Sequence, residues 1–195
     1  MIDLIFPLVL ASASPRRREL ISLLGLPFTC VVSGVDEHIP PCAPEDMVNE
    51  LARTKAFAAL PLLKEPSIVV GADTIVVLDG EILGKPENEQ HAIEMLRQLS
   101  GRTHTVLTGL CVLNSENGKC AVDYERTEVT FAPMTDAEIA EYVSTGEPMD
   151  KAGAYGIQGR CAVYISGISG CYFNVVGLPL HKLASLLKTF AKNEP

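Results

Sequence analysis

Apolar positions change their spacing several times along the chain, and each change marks a predicted element. Residues 8–11 form a short apolar run that reads as a strand. A helical pattern follows over residues 15–24. Ser14 is a favoured N-cap, Pro15 a favoured first helical residue, and Gly25 with Pro27 ends the turn. Residues 28–32 read as a second strand, and a polar loop over 33–41 contains Asp36, Glu37 and His38. Pro44 opens a helix whose inward stripe is Val48, Leu51, Ala52, Ala56 and Ala59. Lys55 falls inside that stripe. Either it snorkels out at the edge of the face, or the face borders a cleft and the ammonium points into it.

Residues 68–78 are almost continuously apolar apart from Asp73 and Thr74. A carboxylate there is expensive to bury unpaired. The run is therefore expected as one strand with Asp73 at a bend, or as two strands meeting at an exposed sheet end. Asp79-Gly80 predicts a tight hairpin returning through residues 81–83, so the sheet is not purely parallel. Gly84-Lys85-Pro86 closes that hairpin and is expected to bring Lys85 back towards Asp73. Residues 87–99 give an amphipathic helix with Ala92, Met95, Leu96 and Leu99 inward. Residues 103–113 and 119–131 read as long strands joined by a turn containing Asn117-Gly118, and Thr135-x-x-Glu138 has the form of a capping box. A polar, glycine-bearing segment over 146–159 is too long for a simple turn and reads as an ordered functional loop. Residues 161–165 and 171–176 are expected to pair as a last hairpin, before a closing helix from Leu180. At this length the chain reads as one large domain or two small lobes, and with no internal repeat and no linker any lobes share interleaved strands.

Composition narrows the function. The chain has 195 residues, 47% of them apolar and 21% charged, and a net charge of -8, which argues against a nucleic-acid polymer as partner. No apolar run reaches the ~18 residues of a membrane span, and the amino terminus lacks a basic start, so the expected location is the cytoplasm with no membrane partner. The six cysteines include no C-x-x-C pair, which argues against zinc and for reduced packing residues.

The first helix carries the clearest chemical anomaly. Arg16, Arg17 and Arg18 occupy its first turn, where the helix dipole disfavours cations by about 0.3–1 kcal/mol each. A bound anion reverses that penalty, because free N–H groups at a helix start already form an anion site. Ser-x-Ser-Pro-Arg-Arg-Arg directly after a strand thus points to phosphate. The chain carries no Gly-x-Gly-x-x-Gly after its first strand, which excludes the usual dinucleotide-binding turn.

Four segments in order, Leu10-Ala11-Ser12-Ala13-Ser14-Pro15-Arg16-Arg17, Gly71-Ala72-Asp73-Thr74, Gly84-Lys85-Pro86 and Asp150-Lys151-Ala152-Gly153-Ala154-Tyr155-Gly156-Ile157-Gln158-Gly159, resemble the Maf family of nucleoside triphosphate pyrophosphatases. Leu99-Ser100-Gly101-Arg102-Thr103-His104 and Val176-Gly177-Leu178-Pro179 add to the likeness. The resemblance implies an α/β fold like that of the inosine triphosphatases. That fold has an elongated mixed β-sheet with flanking helices, and two interleaved lobes of one domain, residues 1–195, around a central cleft. It also implies cleavage of a nucleoside triphosphate to the monophosphate and pyrophosphate with a divalent cation, Mg²⁺ or Mn²⁺, in the house-cleaning of non-standard nucleotides. Asp73 matches the acidic catalytic residue. Arg16, Thr74 and Gln158 match positions tied to substrate choice in the branch that prefers dTTP and UTP, and Ser12, Glu37, Lys55 and Lys85 match other active-site positions. The family also brings the expectation of a homodimer and of a cell-division protein as partner. Two alternatives stay open: a non-catalytic nucleotide-binding regulator of cell division, and the 7-methyl-GTP branch of the same family.

The chemistry assigns roles to these residues. Asp73 can act as general base or hold the metal, with Glu37 as a second metal ligand. Arg16 and Arg17 would clamp phosphates, while Lys55 and Lys85 would supply point charges against a developing oxyanion. Gln158 offers a donor and an acceptor, suited to the edge of uracil or thymine. Lys151 either contacts phosphate or pairs with Asp150. Tyr155 either stacks on the base or packs in the core, and His104 reads as a strand histidine.

Overall fold

Strand β1, Leu8–Ala11, lies between two parallel neighbours, β2 (Phe28–Val31) and β3 (Ile68–Leu78), with Leu10 opposite both Cys30 and Val70. All four β1 residues are buried, as expected of a parallel strand covered on both faces. The computed structural model describes residues 2–34, 39–40 and 42–192. Among them, seven strands form one mixed sheet in the order β2, β1, β3, β5 (Thr103–Asn114), β6 (Cys120–Phe131), β7 (Ile165–Ser169), with β4 (Glu81–Leu83) paired to β3 off that path. Helices flank it, giving the α/β class read from the sequence. The chain divides into two compact units, one of residues 1–73, 108–125 and 177–195, the other of 74–107 and 126–176.

In the first unit, helix α1 (Pro15–Ser22) starts where Ser14 Oγ accepts from the Arg17 N–H at 3.4 Å. Helix α2 (Pro44–Ala58) buries Val48, Leu51, Ala52 and Ala56, the stripe read from the sequence. Two glycines let its backbone lie against the strands. A Cβ at Gly71 would stand 2.2 Å from the Ala52 carbonyl oxygen, and one at Gly109 would stand 2.2 Å from that of Val48. The core here joins Val9, Val69 and Leu113 to the alanines of α2.

In the second unit, β3 turns at Asp79 and Gly80, both with positive φ (52° and 85°), into β4 (Glu81–Leu83), and Val76 pairs with Leu83. This is the two-residue hairpin that Asp-Gly predicts. Helix α3 (Glu89–Leu99) is capped by Asn88, and its buried residues are Ala92, Met95, Leu96 and Leu99. The long strands β5 (Thr103–Asn114) and β6 (Cys120–Phe131) follow. Helix α4 (Asp136–Ser144) carries the complete Thr135–Glu138 capping box. Its Ile139, Tyr142 and Val143 join α3 in the larger core.

The expected last hairpin does not form. Residues 160–164 are a 3₁₀ turn with Cys161 in the core, β7 is Ile165–Ser169 and pairs antiparallel with β6, and Tyr172–Val176 is a short helix, α5. The cause is polar. The Thr127 hydroxyl donates to the Cys171 carbonyl and accepts from its N–H, while the buried Asn174 amide donates to Val106 O at 3.0 Å and Thr127 Oγ1 at 2.9 Å. Satisfying Asn174 requires the chain to coil after Gly170 rather than run on as a strand. Helix α6 (Leu180–Lys188) closes the first unit with Leu183 and Leu187 buried. No helix among the described residues is long and apolar enough to cross a membrane. Of the six free cysteines, Cys111 and Cys161 are buried, and burial pushes each thiol up to about 12. Cys42 and Cys120 are exposed, so core packing accounts for only part of the set.

Candidate active site

Asp73 sits within the unbroken β3, only 9% exposed. Of the two expected arrangements the structure has the single strand, but Asp73 is buried within it rather than exposed at a sheet end. Instead the Lys55 ammonium donates to Asp73 Oδ1, and both side chains are largely shielded from solvent. An ion pair meets the cost that an unpaired buried carboxylate would carry. Of the two placements open for Lys55, the structure has the inward one. Its cause is local. Gly71 seats α2 on β3 through Ala52 and Ala56, which bracket Lys55, and Asp73 is two residues further along the strand on the same side.

The parallel register ends with Ala11 opposite Gly71. Ser12 therefore leaves the sheet close to the level of Asp73. Ser12 Oγ accepts from the Ser14 N–H at 3.1 Å, shaping the turn into α1. Arg16 and Arg17 are half-buried, Arg18 is exposed, and no acidic residue lies in that first turn. Arg17 Nε donates to the Gly177 carbonyl at 2.9 Å, so part of this guanidinium anchors the helix start to the backbone. Glu37 lies outside the described residues.

Thr74, half-buried, opens the second unit. Lys85 is exposed, two residues beyond Leu83. The Gly84 carbonyl accepts from the Gly153 N–H at 3.0 Å, which fastens the Gly84-Lys85-Pro86 segment to the glycine-bearing loop. Gly153 has φ 68°, and a Cβ there would press on Val76 at 3.0 Å. Gln158 is exposed in a turn closed by the Gly159 N–H to the Gly156 carbonyl at 3.2 Å. Lys151 donates to Asp150 Oδ1 and to the Glu147 carbonyl, each at 2.6 Å.

Tyr155 packs in the core. Its ring stands edge-on to Phe131, and its hydroxyl lies 2.8 Å from His104 Nε2. Burial lowers the His104 pKa to about 4, partly offset by the Glu128 charge, and its Nδ1 has no hydrogen-bond partner among the described residues. The imidazole is therefore neutral at ordinary pH. Glu147 escaped the sequence reading. Its carboxylate accepts from the Tyr142 hydroxyl at 2.9 Å and from the Arg160 N–H at 3.1 Å. No periodicity flags it, because one partner is a main-chain group thirteen residues on.

Several known proteins resemble this chain along nearly its whole length. A protein of Pelotomaculum thermopropionicum described as "dTTP/UTP pyrophosphatase" is 52% identical over 187 residues, covering 95% of this chain and 97% of its own. A Moorella thermoacetica protein with the same description is 54% identical and covers 94% of each. One from Bacillus cereus is 50% identical, covering 94% of this chain and 95% of its own. Among solved structures, the Staphylococcus aureus Ham1 protein aligns at a TM-score of 0.42 and 16% identity, over 65% of this chain and 72% of that one, too distant to bear on function. The family model described as "Maf-like protein" matches residues 7–190, and with these relatives it shows that the chain belongs to the Maf family.

Proposed function

We propose that this protein hydrolyses dTTP, UTP and related modified pyrimidine nucleotides to the monophosphate and pyrophosphate. The observation that most supports this reading is the placement of Asp73. An aspartate–lysine pair lies at the level where β1 ends and the arginine-bearing turn of α1 begins. A carboxylate beside a helix start suited to anions can serve attack of water on a phosphoanhydride. The choice of nucleotide follows the descriptions of the relatives at about half identity.

In this reading the triphosphate is held by the N–H groups at the start of α1, with Arg16 and Arg17 on its oxygens. Asp73 takes the proton of the attacking water as its oxygen bonds to the α-phosphorus. The bond from that phosphorus to the bridging oxygen breaks, and pyrophosphate leaves. Lys55 fixes the Asp73 carboxylate and offsets charge as it develops, and Lys85 supplies a second cation. Thr74 and Gln158 contact the base, Gln158 through its amide, and Ser12 shapes the phosphate turn.

A divalent cation would be held here with few protein ligands. Among the described residues, no three His, Cys, Asp or Glu side chains gather to hold a metal ion. Mg²⁺ and Mn²⁺ do not require such a cage, since Mg²⁺ is commonly held by one or two carboxylates and substrate phosphates. Asp73 would hold it, with Glu37 as the second carboxylate. When bound, it would neutralise phosphate charge and make the attacking water more acidic.

Release of pyrophosphate from dTTP by the purified protein tests the reading. Asp73→Asn is expected to lower kcat at least about 100-fold while dTTP still binds. Tight binding of dTTP without turnover by the unaltered protein would favour the regulator reading instead.

A further inference from the structure

Gln158, the residue read here as recognising the base, sits on a turn whose two sides are held by a single device. The Gly156 N–H, two residues before it, donates to the Tyr142 hydroxyl at 3.2 Å. The Arg160 N–H, two residues after it, donates to Glu147 Oε2 at 3.1 Å. Tyr142 and Glu147 are joined to each other by the tyrosine hydroxyl donating to Oε1 at 2.9 Å. The carboxylate lies directly under the turn, where a Cβ at Gly159 would stand 1.8 Å from Oε1. Tyr142 is 3% exposed and fixed in the α3–α4 core, so the clamp is anchored to packed structure. Lys151 secures the other end by donating to the Glu147 carbonyl.

We infer that Glu147, braced by Tyr142, is a positioning residue for base selection: it sets the height and orientation of the Gln158 turn. The inference rests on the reading of Gln158 as the group that contacts the pyrimidine. The chemistry favours an acid. A carboxylate accepts from the hydroxyl and the amide N–H at once, whereas a glutamine that keeps its oxygen on the Arg160 N–H must turn its NH2 to the Tyr142 oxygen, which leaves the hydroxyl proton without this acceptor. Glycine at 159 is required by space, since a methyl group there would displace the carboxylate. A misplaced amide discriminates poorly, because hydrogen bonds to a base edge tolerate little displacement.

The test compares kcat and KM for dTTP and dCTP in the unaltered protein, Gln158→Ala, Glu147→Gln, Gly159→Ala, Tyr142→Phe and the Glu147→Gln/Gln158→Ala pair. Expected is a fall of about tenfold or more in the dTTP-to-dCTP ratio of kcat/KM for Glu147→Gln and Gly159→Ala, carried mainly by KM for dTTP. The double variant should show little loss of ratio beyond Gln158→Ala alone. Tyr142→Phe removes one hydroxyl from a buried ring. It decides the matter if Glu147→Gln does not fold, and should shift the ratio in the same direction. A ratio that collapses in Gln158→Ala but stays unchanged in the Glu147, Gly159 and Tyr142 variants overturns the inference and leaves the role of Gln158 standing. A ratio unchanged in Gln158→Ala overturns the base-reading role itself and the inference with it.

Discussion

A carboxylate buried in an apolar strand is stable only where a cation or several donors meet it, and Lys55 does so for Asp73. Removing the ammonium leaves the carboxylate without that partner. Lys55→Met is therefore expected to destabilise the fold by about 3 kcal/mol and to lower turnover, measured by urea unfolding beside pyrophosphate release. Asp73 was legible as an anomaly in the sequence, because one acidic residue breaks an apolar run. Its partner was not, since Lys55 on a helical stripe is equally well explained by a snorkelling side chain. His104 carries a second residue-scale prediction. Its folded pKa of about 4 lies below the ordinary 6.5 because of burial, so the unfolded chain binds more protons between those values. The neutral-imidazole contribution is complete above pH 6.5 and is lost as pH falls towards 4. From about pH 7 to about pH 5 it accounts for roughly 2 kcal/mol of lost stability. His104→Gln should flatten the pH dependence of the urea midpoint by about that amount; an unchanged slope would show that other groups cause it.

At the scale of elements, α2 is placed by what the strands lack. Gly71 and Gly109 present no side chain to it, and the carbonyls of Ala52 and Val48 occupy the space where a Cβ would be. Gly71→Ala is expected to push α2 outward, costing about 1–3 kcal/mol and separating Lys55 from Asp73, so turnover should fall more than stability explains. Thermal unfolding and kcat measured together check this. Most elements were legible because their signals are local: Ser14 before Pro15, Asp79-Gly80, and Thr135 three residues before Glu138. The segment after Gly159 was not. Residues 161–165 and 171–176 read as the two strands of a hairpin, but Asn174 needs acceptors on Val106 and Thr127, and those partners are distant in sequence. The Glu147 clamp was hidden for the same reason, its ligands being a tyrosine hydroxyl and a backbone amide that only the folded loop supplies.

For the whole molecule, the sequence motifs divide between two compact units. Ser12, Arg16, Lys55 and Asp73 belong to one; Thr74, Lys85 and Gln158 belong to the other. The chain passes from the first to the second at the Asp73–Thr74 peptide bond, so the proposed catalytic aspartate and the proposed base-contacting threonine are covalent neighbours. A net charge of -8 on a protein proposed to bind a triphosphate makes the local cations decisive. Raising salt is accordingly expected to increase KM for dTTP more than it lowers kcat, because screening weakens binding of the charged substrate. The most direct measurement is identification of the products when the purified protein is given dTTP with Mg²⁺. Expected are dTMP and pyrophosphate in equal amounts, formed by the unaltered protein and at least about 100-fold more slowly by Asp73→Asn. Formation of dTDP and inorganic phosphate, or equal turnover by Asp73→Asn, would contradict the proposed reaction.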